Sequence, residues 1–245
     1  MNYAIFTYRG DAECLDICVK QILKADSEAH VYIFNDGADP IVDISCAKNV
    51  FLRYTWFPRK GNLNGLECIR GILMSMLSIP TPGPVVKVDA DTLIMSTALI
   101  KNSLASGKLA GGMQCAIPLA WSGVCYWLTR QAISEALHLL VTREFPTRGN
   151  YPYPEDVTIS QIMFFLYGKS GVDLFEFNGG KHLIGVRSCD PKELPIYSQI
   201  AHDNRTAIHC GQTAFYEPLA EQYGESLRQA AARIMHAILN EGKLP

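Results

Sequence analysis

Val85-Val86-Lys87-Val88-Asp89-Ala90-Asp91 is the stretch on which the reading of this chain turns. Val85–Val88 has the length and β-branched content of a buried strand, and two carboxylates one residue apart follow it. In extended chain, residues i and i+2 point the same way, about 6.6 Å apart. Two carboxylates at that spacing repel by about 2 kcal/mol at an effective dielectric of ~20. A divalent cation removes that cost, and oxygen ligands suit Mg²⁺ or Mn²⁺ held together with substrate phosphates. The same two aspartates also read as the cap of a turn after a strand. Lys87 shares the parity of Asp89 and Asp91. A lysine in an otherwise apolar strand either pairs with such acids or snorkels from an edge.

Working outward, Tyr3–Thr7, Val31–Phe34 and Val50–Tyr54 are further short apolar runs that predict strands. Between the first two, Leu15, Cys18, Val19, Ile22 and Leu23 fall on one helical face after Asp11. Asn35-Asp36-Gly37 is a turn signal. Gly61–Asn64 reads as a polar loop, and Leu66–Leu77 as a helix stopped by Pro80, Pro82 and Pro84. Strands alternating with helices predict an α/β, doubly wound, mostly parallel sheet, which binds ligands outside the carboxyl ends of its strands. Asp89 and Asp91 stand at such an end. Downstream, Gly111–Ile117 predicts a strand, and Thr129–Leu140 and Glu155–Tyr167 predict helices. Arg143–Pro154 and Ser188–Thr206 read as long loops with a functional or mobile character. Leu219, Tyr223, Leu227, Ala231, Ile234 and Ile238 predict one amphipathic closing helix over 216–245.

Composition narrows the function. The 245 residues are 48% apolar and 19% charged, which suits one domain over 1–245 with a sizeable core. A net charge of −2, with no basic stripe, argues against a nucleic-acid partner. The eight cysteines include no CxxC pair, so neither a zinc ribbon nor a redox motif is indicated, and reduced buried thiols are expected. No apolar run approaches the ~20 residues of a membrane span. No signal-peptide pattern opens the sequence, and a cytoplasmic protein is expected.

The lysine-x-acid-x-acid pattern after an apolar strand resembles the metal site of the GT-A glycosyltransferases. In wording it is nearest to the β1,3-galactosyltransferase and Fringe-like branch, whose acidic triplet has Ala90 in place of its middle acid here. Ser122-Gly123-Val124-Cys125-Tyr126-Trp127-Leu128-Thr129-Arg130 resembles that branch's small-residue, aromatic, Ser/Thr-Arg segment. Pro154-Glu155-Asp156-Val157 resembles its Glu-Asp-Val motif, and His209 stands where many such enzymes keep a late histidine ligand.

The resemblance implies a GT-A domain whose first hundred residues bind a nucleotide sugar, whose residues 101–215 bind the acceptor, and whose tail closes the body. It implies a metal on Asp89, Asp91 and His209, and a nucleotide, UDP by default, contacted by Thr7, Arg9, Asp36, Lys87 and Asp89. Gly61, Asn62 and Arg70 would face the donor less directly, and Trp121 would offer a platform to a sugar. Asp156, with Glu155 beside it, would be the general base of an inverting transfer to an acceptor the sequence does not name. Each residue has a plainer reading. His209 fits a core or loop position, Asp36 a tight turn, Arg9 a solvated surface and Trp121 a core. Acids at a helix start offset the helix dipole without any catalytic duty. The rival function is a catalytically silent GT-A-like domain that binds a sugar or a partner. A nucleotidyltransferase is disfavoured because Thr7-Tyr8-Arg9-Gly10-Asp11 has one glycine, too few to cradle a triphosphate.

Overall fold

A computed structural model describes residues 1–44, 47–57, 65–114, 119–142, 154–175, 183–203, 206–211 and 213–244. The predicted alternation appears as β1 (Asn2–Thr7), α1 (Ala12–Ala25), β2 (His30–Asp36), β3 (Val50–Thr55), α2 (Leu66–Leu77) and β4 (Val85–Val88). Then follow β5 (Thr92–Ile94), α3 (Ala98–Leu104), β6 (Ala110–Gln114), β7 (Trp121–Leu128), α4 (Arg130–Thr142) and α5 (Glu155–Gly171). The chain ends with β8 (Val172–Phe175), β9 (Leu183–Gly185), α6 (Leu194–His202), β10 (Ala207–His209), α7 (Glu217–Tyr223) and α8 (Leu227–Leu239). A seven-stranded sheet has the order β3-β2-β1-β4-β7-β6-β8, in which only β7 runs against its neighbours. It is a mixed α/β architecture with a mostly parallel sheet covered on both faces.

Period-2 alternation assigns each strand residue to one of two cores. Tyr3 and Ile5, Val31 and Ile33, and Val86 and Val88 face a core shared with α1 and α8. Ala4 and Phe6, Tyr32 and Phe34, and Val85 face a core shared with α2, α4 and α5. Lys87 has the parity of Val85, so its side chain enters the layer beneath α5. A second, three-stranded sheet, β5-β10-β9, sits beyond the end of β4. Its antiparallel β5–β10 pair sets His209 opposite Thr92, which brings a residue from late in the chain beside Asp91.

Several expectations need correction. Ser188–Thr206 is not one long loop, because α6 occupies its middle. Pro195 lies in that helix's first turn, where its missing N–H costs nothing. Ser122–Leu128 belongs to strand β7. The closing helix is two helices: Gly224, at φ 64° and ψ 35°, ends α7 in the left-handed conformation that glycine adopts freely. Ser226 then starts α8 with a capping box, its Oγ accepting from the Gln229 N–H while Gln229 Oε1 accepts from the Ser226 N–H. Of the predicted strand Gly111–Ile117, residues 115–117 lie outside the described residues, as do 143–153 of the Arg143–Pro154 loop.

α8 packs its Ala231, Ile234, Met235 and Ile238 into the core against α1 and α6. Each such Ile or Met contributes roughly 1.5–3 kcal/mol when fully buried. The box at Ser226 fixes where that helix begins. Ser226→Ala is expected to cost about 1 kcal/mol and to lower Tm by about 2–4 °C. An unchanged melting curve would show that packing alone defines the start.

Candidate active site

A cleft of about 680 Å³ opens outside the carboxyl end of β4, a size suited to a small-molecule ligand. The segments after β1, β2, β4 and β10, the start of β7 and the starts of α5 and α8 build it. The turn after β4 presents Asp89 and Asp91, pinned by the Asp89 N–H to Val124 O at 3.3 Å and the Thr92 N–H to Asp89 O at 3.2 Å. The Cys210 N–H donates to Asp91 O at 2.9 Å, tying the end of β10 to the same turn. Asp89, Asp91 and His209 each aim one ligand atom into a common space, with all three atoms within 4.8 Å of one another.

The metal reading can be tested on these groups themselves. Asp91 is buried; its Oδ1 lies 3.3 Å from His209 Nε2 and accepts no well-aligned hydrogen bond. Its Oδ2 pairs with Arg228 Nη1. Gly211 leaves room for the cluster: a Cβ there would fall inside contact distance of His209 Nε2 and 2.5 Å from Asp91 Oδ2. Two carboxylates and an imidazole converging around an unfilled buried oxygen fit a divalent cation. Burial pushes the Asp91 carboxyl up, but His209 and Arg228 outweigh it and hold the group below the ordinary carboxylate range. Burial lowers the His209 pKa, but the charge and hydrogen bond of Asp91, with the charge of Asp89, together outweigh it and raise the net value.

Lys87 is 1% exposed; it forms ion pairs with Asp89 Oδ1 and, at 2.9 Å, with Glu155 Oε1, and donates to Gly123 O at 2.9 Å. Lys87 lines the cleft floor with almost no exposed surface and positions Asp89. Removing the lysine would strand the buried Glu155 and leave the partly exposed Asp89 without its cation, and breaking a buried pair typically costs about 3–5 kcal/mol. Glu155 is 4% exposed, and burial pushes it up to about 7 against the pull of Lys87. Asp156 stands on the cleft wall, its Oδ2 accepting from the Gly123 N–H and its Oδ1 from the Val157 N–H at 2.8 Å. Burial raises its pKa.

The remaining expected residues separate. Asp36 lines the cleft, its Oδ1 accepting from the Ala38 N–H at 2.9 Å. Thr7 is buried, with its hydroxyl 3.4 Å from Asp11 Oδ2, and does not line the cleft. Arg9 is exposed at the rim, 3.2 Å from Asp39, and does not line the cleft either. Arg70 donates to Leu140 O and joins α2 to α4 instead of facing a donor. Trp121 is fully buried against Tyr126, so it offers no platform to a sugar. Gly61 and Asn62 lie outside the described residues.

Among the charged cleft residues, Asp11, Asp39 and Arg228 escaped the sequence reading. Arg228 Nε lies 3.5 Å from Asp11 Oδ1 while its Nη1 holds Asp91. A faint signal existed: an arginine in the first turn of α8 opposes the helix dipole and calls for a carboxylate elsewhere. Among the described residues lining the cleft, seven carboxylates face Lys87, Arg228 and one histidine. Such a surface repels a diphosphate unless a multivalent cation enters with it.

No protein-family model and no curated protein matches this sequence, and its likeness to known proteins lies in structure. The galactosyltransferase LgtC, solved with donor and acceptor sugar analogs, superposes with a TM-score of 0.59 at 13% identity, covering 100% of this chain and 98% of that one. The glycosyltransferase GlyE of Streptococcus pneumoniae TIGR4 gives 0.55 at 10% identity, covering 98% of this chain and 62% of that one. The chain has the GT-A fold. These likenesses do not single out the Fringe-like branch. The GT-A cleft and the Asp89–Asp91–His209 cluster coincide in place. No helix among the described residues is long and apolar enough to cross a membrane.

Proton and metal compete for the same His209 nitrogen, and a raised imidazole pKa extends that competition upward in pH. Mn²⁺ affinity is expected to fall as the pH drops from about 8 to about 6. His209→Gln should flatten the profile while weakening binding throughout. A wild-type affinity independent of pH would contradict ligation by His209.

Proposed function

We propose that this chain is a metal-dependent glycosyltransferase that moves a sugar from a nucleoside-diphosphate donor, UDP-linked in the simplest case, to an acceptor. The observation that carries the reading is the convergence of Asp89, Asp91 and His209 at the carboxyl end of β4 in a GT-A fold. When bound there, Mn²⁺ or Mg²⁺ would supply charge neutralisation for the departing diphosphate. The chain's own residues do the rest. Lys87 and the Val124 carbonyl hold Asp89 in place, the β5–β10 pairing holds His209, and Asp36 is offered to the nucleoside. The survival of all three candidate ligands disfavours the rival reading, a silent GT-A-like domain that binds a sugar or a partner.

UDP or another nucleoside diphosphate is expected to raise Tm with Mn²⁺ or Mg²⁺ and not in EDTA. Asp91→Asn, which keeps shape and removes charge, should lower nucleotide release from a nucleotide sugar by about 10²-fold or more. Equal stabilisation in EDTA, or full turnover in the variant, would sink the metal-dependent assignment.

Asp156 is proposed as the carboxylate at the reacting centre. Unlike Asp11, Asp39, Asp89, Asp91 and Glu155, which pair with cationic side chains, it is bonded by backbone N–H groups. A rigid, partly desolvated carboxylate with raised pKa suits a general base, which makes inversion the finer reading. Glu155, tied to Lys87 and buried, is a positioning residue. Asp156→Asn is expected to lower kcat by about 10²–10⁴-fold with donor binding nearly unchanged, and NMR of the fresh product should show the inverted anomer. Retention would reassign Asp156 to electrostatic support of the developing sugar cation.

A further inference from the structure

Arg228 belongs to the metal cluster although it lies 137 positions from Asp91 in the chain. Its backbone is fixed by the capping box of α8 and by contacts to α1: Cys14 Sγ donates to Arg228 O at 3.5 Å, and Gln229 Nε2 donates to Glu13 Oε1 at 3.0 Å. Its guanidinium spans Asp91 and Asp11. A guanidinium carries five N–H donors, so this pairing leaves others to spare. The side chain is 31% exposed and lines the cleft, whereas Lys87, the other cation there, is 1% exposed. Arg228 is therefore the accessible protein cation among the described lining residues.

We propose that Arg228 is a resident stand-in cation: it neutralises Asp91 before metal loading, opposes metal binding on its own, and turns to the donor diphosphate once the metal is in place. A carboxylate shared by a divalent ion and a guanidinium brings two cations together, and their repulsion weakens the first arrival. An anionic diphosphate lying across both removes the repulsion. Metal and nucleotide then assist each other, by equal factors in either order. The diphosphate step rests on the nucleotide-sugar reading above, whereas the competition for Asp91 does not.

Mn²⁺ binding, followed by electron paramagnetic resonance, and UDP and inorganic pyrophosphate binding, followed by calorimetry, separate the two halves. Arg228→Gln is expected to bind Mn²⁺ alone about tenfold more tightly, and UDP at saturating Mn²⁺ about tenfold more weakly. Arg228→Lys keeps the charge but cannot span both aspartates, so it should shift both affinities in the same directions by less. Should the glutamine variant fail to fold, the lysine variant carries the same test. Unchanged or weaker Mn²⁺ binding in a folded variant would overturn the competition, and unchanged UDP and pyrophosphate affinity would overturn the diphosphate contact. Wild-type protein that binds Mn²⁺ but neither UDP nor pyrophosphate would instead refute the nucleotide-sugar reading and leave the competition for Asp91 standing.

Discussion

Like-charge crowding around the end of β4 is the constraint on which the cleft is built. Asp89 and Asp91 emerge from one strand end, and Asp11, Glu155 and Asp156 are brought in by other elements. Left alone, these acids would repel one another and shift toward the neutral form. The fold answers with cations of different kinds. Lys87 is locked into the floor and pairs with Asp89 and Glu155. Arg228 reaches Asp91 and Asp11 from the closing helix. His209 stands against the free side of Asp91. One buried oxygen of that aspartate still lacks a well-aligned donor, and there a further, exchangeable cation fits.

The constraint explains the assignment of elements to tasks. Strands β1, β2 and β4 bury both faces and supply a rigid edge. The small sheet brings His209 across to Asp91. Helix α5 is aimed by its first turn, where Asp156 accepts from the backbone of β7. Helix α8, far along the chain, completes the charge balance as well as the core. Folding and site chemistry are thus coupled: the packing that buries Ile234 and Ile238 also sets the reach of Arg228.

Local patterns made the first half legible. Val85–Val88 and Leu66–Leu77 read correctly to the residue, because an uninterrupted apolar run and a proline stop are signals carried by neighbours in sequence. The three-residue strands β5, β9 and β10 were invisible, since so short a segment is defined by its partner and not by its own periodicity. Aromatic residues in β7 read as part of a family motif, and their strand character went unnoticed. The break at Gly224 was hidden by apolar spacing that continues across it. In the site, Asp89, Asp91 and His209 were found by residue type and order. Lys87 was matched correctly to Asp89, but its second acid is Glu155 and not Asp91, because parity along a strand tells direction and not which element packs above it. Arg228 depended on tertiary packing, and only its awkward position against a helix dipole hinted at it.

The central claim is that Asp89, Asp91 and His209 hold one divalent cation. Anomalous diffraction at the manganese edge, from crystals grown with Mn²⁺ and UDP, tests it without reference to turnover. The account expects a single strong peak at bonding distance, about 2.0–2.3 Å, from His209 Nε2 and at least one oxygen each of Asp89 and Asp91, with the diphosphate on its open side. A peak elsewhere, or clear nucleotide density with no peak among these three residues, would contradict it.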